Sequence, residues 1–216
     1  MRPQRNGRSG SPGMILFLSL VLLLSQVLIL PTGNRRARAQ VSEEKGKGAA
    51  TLYEVKGLDR DRAFVIGSKG SAYLTVDGGN TWIPSEVPAV EDLRALAMSD
   101  AERVWIGGSR GTLLYSEDGG KGWQRKRIPT AEDVVDLEVS EDGILWALSG
   151  ESSVFKSQDG GDSWAIFKPP GENRLNCLVV ERGDVTWVAG ENGTLFVTED
   201  GGESWRSISC QTGEHL

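Results

Sequence analysis

The motif Asp-Gly-Gly-x-x-Trp occurs four times in this chain at a spacing of 41 residues, and that period constrains the fold more than any other feature. The copies are TVDGGNTW (75–82), SEDGGKGW (116–123), SQDGGDSW (157–164) and TEDGGESW (198–205). A fixed period of about 40 to 45 residues marks a repeat architecture, in which each unit buries its apolar faces against its neighbours. Aligning the units on Asp77, Asp118, Asp159 and Asp200 reveals a second column thirteen residues earlier: Phe64, Trp105, Trp146 and Trp187. Together with Trp82, Trp123, Trp164 and Trp205, this column accounts for all seven tryptophans. None is left over for a separate stacking platform, so the aromatic columns read as packing between neighbouring sheets.

Each unit reads as four short strands. The first is apolar at Leu52/Leu93/Val134/Leu175 and at Val55/Leu96/Leu137/Leu178, and the second carries the aromatic column (AFVIG, VWIGG, LWALS, TWVAG). A turn framed by Gly67 and Gly70 follows in the first unit, with equivalents in the others, and the third strand is SAYLTV, GTLLYS, SSVFKS or GTLFVT. The Asp-Gly-Gly turn then leads into a fourth strand at the Trp. A helical reading would carry these glycines inside every unit, at about 1 kcal/mol each. Short β-branched and aromatic runs between regular turn signals favour strands. The expectation is an all-β chain, a β-propeller of four-stranded antiparallel blades with repeats over about 51–91, 92–132, 133–173 and 174–216.

The box itself has a mechanical explanation. Its Asp accepts backbone N–H groups just ahead of it, and Gly79, Gly120, Gly161 and Gly202 supply a positive φ. Flanking Ser or Thr residues add hydroxyl bonds, except in the second unit, where Gly122 replaces the hydroxyl and one bond should be missing. A calcium loop would alternate several oxygen ligands along a longer segment. The boxes therefore read as turn locks, and no metal, cofactor or catalytic residue is expected from them.

The pattern Ser/Thr-x-Asp-x-Gly-x-Ser/Thr-Trp is the Asp-box, or bacterial neuraminidase repeat, matched completely by three of the four copies. The fuller unit, as in WIGGSRGTLLYSEDGGKGW and WVAGENGTLFVTEDGGESW, resembles the photosystem II stability and assembly factor family of propellers, over about residues 51–207. That resemblance implies a non-enzymatic propeller that binds protein partners during membrane-complex assembly on the exported side of a membrane. Members typically have more than four blades. Three architectures stay open for these four units: a small closed ring, an incomplete larger propeller, or a half-propeller that self-associates through open blade ends.

Asp-box glycoside hydrolases are the rival class, together with a truncated array lacking independent function. Sialidase chemistry draws an arginine cluster and a tyrosine–glutamate pair from several blades, and this chain has only Tyr53, Tyr73 and Tyr115. The sole histidine is His215, which excludes a His-based triad and a His-rich metal site. Partner binding is expected on the rim opposite the boxes, where loops vary over a rigid frame. The candidates are Lys69, Arg110, Glu151, Glu191 and Asn192 at the turns between strands two and three, with Arg174 from a connection. A second candidate is the basic run of Lys121, Arg125, Lys126 and Arg127, although alternation splits that run over two faces of an outer strand, so edge protection explains it about as well.

Residues 1–39 hold six arginines and no acid, so the remainder carries −12 within an overall charge of −6. An acidic globular part argues against general affinity for nucleic acid. Met14–Leu30 is an uncharged apolar stretch followed by Ala37-Arg38-Ala39. It reads as an N-terminal hydrophobic helix, either a signal peptide cleaved near Ala39 or a membrane anchor. Both readings export residues 40 onward. Residues 40–50 read as a linker. Cys177 and Cys210 fit neither a disulfide framework nor a metal site.

Overall fold

The computed structural model describes residues 40–41, 50–181 and 185–209. The expected helix over 14–30, the cut near Ala39, the linker residues 42–49 and Cys210 lie outside them. Strand β1 is Gln40–Val41. Blade 1 contains β2 (Leu52–Gly57), β3 (Ala63–Gly67), β4 (Ala72–Thr75) and β5 (Thr81–Pro84). Blade 2 contains β6 (Leu93–Met98), β7 (Val104–Gly108), β8 (Thr112–Ser116) and β9 (Gln124–Arg125). Blade 3 contains β10 (Val134–Val139), β11 (Leu145–Ser149), β12 (Val154–Ser157) and β13 (Ala165–Phe167). Blade 4 contains β14 (Leu175–Val180), β15 (Thr186–Gly190), β16 (Leu195–Thr198) and β17 (Arg206–Ser207).

Each repeat is thus one antiparallel sheet with its strands in sequence order, as a propeller blade requires. Blade 1 gains a fifth strand, because β1 pairs in parallel with the outer strand β5.

Three apolar joints hold the blades together, each made by the forward face of one blade and the rear face of the next. Phe64, Ile66 and Ala72 of blade 1 meet Leu93, Leu96, Val104 and Ile106 of blade 2. Ala95, Ala97, Trp105 and Leu113 meet Val134, Leu137, Leu145 and Phe155. Trp146, Leu148 and Val154 meet Leu175, Leu178, Val188 and Phe196. Among the described residues no such cluster joins blade 4 to blade 1.

The two apolar columns of the first strand lie three residues apart, a spacing that simple alternation would send to opposite faces. A register shift in every first strand, between Leu93 and Ala95 in blade 2, inserts one extra residue. That bulge returns Leu93 and Leu96 to the same rear face. Tight joints also depend on small residues. A Cβ on Gly120 would stand 2.6 Å from Cε2 of Phe64, and one on Gly202 would stand 2.9 Å from the Phe167 ring.

Candidate functional site: the box side and the opposite rim

The boxes lie on the same side as the turn between strands one and two. Gly78 donates its N–H to the Asp61 carbonyl and Gly119 to that of Glu102, at 2.8 and 2.9 Å. Within each box the buried first hydroxyl is the hub. In blade 3, Ser157 Oγ donates to Asp159 Oδ1 at 2.7 Å and accepts the N–H of Gly161 at 2.7 Å. Asp159 then accepts the N–H of Asp162 and of Ser163, at 3.0 and 2.8 Å, and the Ser163 hydroxyl at 2.5 Å. Asp77 and Asp200 take the same hydroxyl bond from Thr81 and Ser204. Asp118 accepts the amides of Lys121 and Gly122 but has no hydroxyl donor at 122, as the sequence predicts.

Donors aimed at a carboxylate favour its ionised form. The Ser204 hydroxyl and amide hold Asp200 down at about 2, and the Ser163 hydroxyl holds Asp159 below the usual carboxylate range. Asp77, through Thr81, and Asp118, through the Gly122 amide, are shifted the same way. These groups are acceptors saturated by their own turns, a poor state for acid catalysis. Gly122→Ser should supply the missing bond and reduce the freedom of the unfolded chain. It should raise stability by about 0.5–1.5 kcal/mol in a urea titration, since the only close neighbour of the new Cβ is the Asp118 carboxylate.

The box tryptophans point rearward into the joints. Trp123 meets Phe64 edge-to-face at 5.9 Å and donates to Ser85 Oγ at 2.9 Å. Trp164 donates to the Arg127 carbonyl at 3.1 Å. Trp205 packs in the joint of blades 3 and 4, and Trp82 stands at the same repeat position in blade 1, where no joint lies behind it among the described residues.

On the opposite rim, four non-glycine turn residues stand in the left-handed region: Lys69 (φ 56), Arg110 (φ 58), Ser152 (φ 73) and Asn192 (φ 54). Asn adopts that conformation readily, whereas Lys and Arg do so at a cost. Two aspartates that the sequence reading passed over hold these tips in place. The N–H of Lys69 donates to Asp92 Oδ1 and that of Arg110 to Asp133 Oδ1, each at 3.1 Å. Asp92 also accepts the Tyr53 hydroxyl at 3.2 Å, and Arg94 lies against both carboxylates, at 3.4 Å from Asp92 and 3.3 Å from Asp133. Their signal was available, since both directly precede the first strand at one repeat position.

In blade 4 the same position carries Arg174, which is exposed, as are Glu151 and Glu191. Asn192 instead bonds Asn173 at 3.2 Å. The rim candidates therefore fall into two groups. Lys69 and Arg110 are organised by one aspartate–arginine network, whereas Glu151, Glu191 and Arg174 have no part in it.

The basic run divides between neighbours. Arg125 reaches Glu91 of blade 1 at 3.5 Å and Lys126 reaches Asp162 of blade 3 at 2.6 Å. It fastens joints rather than forming one basic patch.

The inner strands bring together a set that the sequence reading missed. Lys56 of blade 1 pairs with Glu138 of blade 3 at 3.0 Å. Asp136 accepts the N–H of Leu178 in blade 4 at 2.7 Å and that of its neighbour Leu137 at 2.8 Å. Burial pushes the Glu54 carboxyl up to about 7, with Asp136 and Glu138 adding to the rise while Lys56 and the Leu96 amide oppose it. Burial also raises Asp136. Carboxyl groups held up in this way are what a glycosidase uses as its acid. Here Asp136 is already engaged by the backbone amides of Leu137 and of Leu178 in the following blade. Among the described residues no group of three or more His, Cys, Asp or Glu side chains is arranged to hold a metal ion. No helix among them is long and apolar enough to cross a membrane.

Box locks, aromatic joints and a period of 41 residues now define the blade. Residues 39–131 match the family model of the photosynthesis system II assembly factor YCF48. That match covers the first two blades, and the chain as a whole is an array of Asp-box blades resembling this family. No curated protein matches the chain.

Solved structures share the fold at low identity. A YCF48 bound to D1 peptide is 15% identical, with a TM-score of 0.50 over 74% of this chain and 69% of that one. YCF48 from Cyanidioschyzon merolae is 15% identical, with a TM-score of 0.62 over 76% and 57%. A GH74 xyloglucanase from Xanthomonas campestris is 18% identical, with a TM-score of 0.62 over 76% and 31%. The likeness is therefore one of architecture, and the chain spans little more than half the length of the Cyanidioschyzon protein.

Proposed function

We propose that the chain is a non-catalytic binding scaffold that acts in the assembly of a membrane protein complex. The observation that carries this reading is the match of residues 39–131 to the YCF48 assembly factor model. It is supported by the saturation of every box aspartate within its own turn, which leaves the boxes without free chemistry. The partner contacts the rim opposite the boxes, through Lys69, Arg110 and Asn192 on the tips, with Glu151, Glu191 and Arg174 beside them. The amides of Lys69 and Arg110 are held by carboxylates, so the tip backbones are already ordered and cost little to order on binding. A YCF48 solved with D1 peptide gives a precedent for a polypeptide ligand on this architecture. Residues 1–39 deliver the blades across a membrane, either by cleavage near Ala39 or with 14–30 retained as an anchor.

The test is recovery of the tagged full chain from native membranes in mild detergent. A membrane protein complex should accompany it, and Arg110→Glu with Arg174→Glu should reduce that recovery at least about tenfold. The melting temperature should change little, because the one ion pair this breaks among the described residues, Arg110 with Glu91 at 3.3 Å, lies at the surface and such pairs contribute little to stability. Recovery of the chain alone, or equal recovery with the double variant, would overturn the reading. Release of fluorophore from sialosides or glucans would favour the hydrolase class instead.

A further inference from the structure

The three joints are built from equivalent positions, and the two halves of a fourth are left over. On the rear of blade 1, Leu52 and Val55 are 47% and 61% exposed. Their counterparts Leu93, Leu96, Val134, Leu137, Leu175 and Leu178 are all at 2% or less. On the front of blade 4, Val179 is 54% exposed and Cys177 is exposed, where Ala95 and Ala97 of blade 2 are fully buried. Trp187 is half-buried, whereas Phe64, Trp105 and Trp146 are buried. Gly79 is likewise half-buried, although Gly120, Gly161 and Gly202, which receive the preceding blade at the internal joints, are buried. Each open face is a sheet surface of the apolar kind that soluble chains keep covered.

We infer that the front of blade 4 docks on the rear of blade 1 in a second copy of this chain, making between molecules the joint that the chain makes three times within itself. The occupant follows from the repeat. At the joint of blades 1 and 2 the front-face aromatic Phe64 meets Gly120 and Trp123 of the next rear face; at the matching positions the front of blade 4 presents Trp187 and the rear of blade 1 presents Gly79 and Trp82. Pairing like with like would set Trp187 against Trp187 with no glycine to admit the ring. The contact is therefore head-to-tail. Two copies satisfy each other's open faces with two such joints, giving eight blades, within the usual range of closed propellers.

The internal joints also say which atoms should meet. Asp136, at the position of Cys177, bonds the N–H of Leu178, at the position of Val55, at 2.7 Å. Val55→Cys should therefore set a thiol beside Cys177 of the other copy. The experiment uses the purified full chain carrying Cys210→Ser, oxidised with diamide. Val55→Cys in that background should give a reducible covalent dimer of twice the 23.4 kDa chain mass. The dimer should be absent from Cys210→Ser alone and from the triple variant that adds Cys177→Ser. Sedimentation of the unmodified chain should report two copies. A disulfide formed within one chain would mean that blade 4 closes on its own blade 1, and would overturn the proposal. So would a chain that stays monomeric and uncrosslinked, as it would if another protein normally covers these faces.

Discussion

Trp146→Ala should lower the stability of the array by about 3–5 kcal/mol, the usual cost of truncating a buried tryptophan. It should also split a single denaturation transition into two. Trp146 is 1% exposed and forms the centre of the joint between blades 3 and 4. Its ring lies 6.4 Å from that of Phe167, and Lys156 Nζ sits 4.9 Å above it. Because each blade is stabilised only by its neighbours, emptying one joint uncouples blade 4 from the rest. Trp146→Phe tests the mechanism, since blade 1 uses Phe64 at the same position. It should cost under about 1.5 kcal/mol and keep one transition. A urea titration followed by tryptophan fluorescence and by circular dichroism reads both outcomes. Coincident transitions for Trp146→Ala would show that the blades do not unfold as neighbours.

Gly120→Val should be nearly as damaging, for two separable reasons. Gly120 has φ +85, a conformation that a β-branched residue adopts only under strain of about 1–3 kcal/mol. Its Cβ would also stand 2.6 Å from Cε2 and 3.0 Å from Cζ of Phe64, so the joint between blades 1 and 2 must open, at about 1–3 kcal/mol more. Shortening the opposing ring with Phe64→Leu should recover the second part and not the first. If that double variant is no more stable than the sum of its single changes, the ring contact is not the source of the cost.

Much of the blade was legible because its causes are local. The period, the two aromatic columns, the bonds of the Asp turn and the absent hydroxyl at Gly122 are all properties of residues within one unit. The assignment of the two sides was legible too, since strand-to-strand turns must alternate. What escaped the sequence reading depends on neighbouring blades. Asp92 and Asp133 cap tips that belong to the blade before them, and Asp136 caps an amide of the blade after it. Alternation alone sends Arg125 and Lys126 to opposite faces of the outer strand, but their partners, Glu91 and Asp162, belong to the two neighbouring blades. Gln40–Val41 reads as linker in the sequence because two residues carry no alternation, and a parallel edge pairing leaves no turn signal nearby.

The link from Lys56 to Glu138 has a mechanical consequence. It runs from blade 1 to blade 3, skipping blade 2, and so acts as a chord across an arc whose other contacts join adjacent members. A half-exposed ion pair contributes only about 1 kcal/mol, too little to hold the array together. It is enough to favour one angle among several of nearly equal energy. The equivalent positions in blades 2 and 4 are Ala97 and Val179, which can form no such tie. Curvature is therefore pinned through the first three blades and left adjustable at the fourth, where the open apolar face has to find its fit.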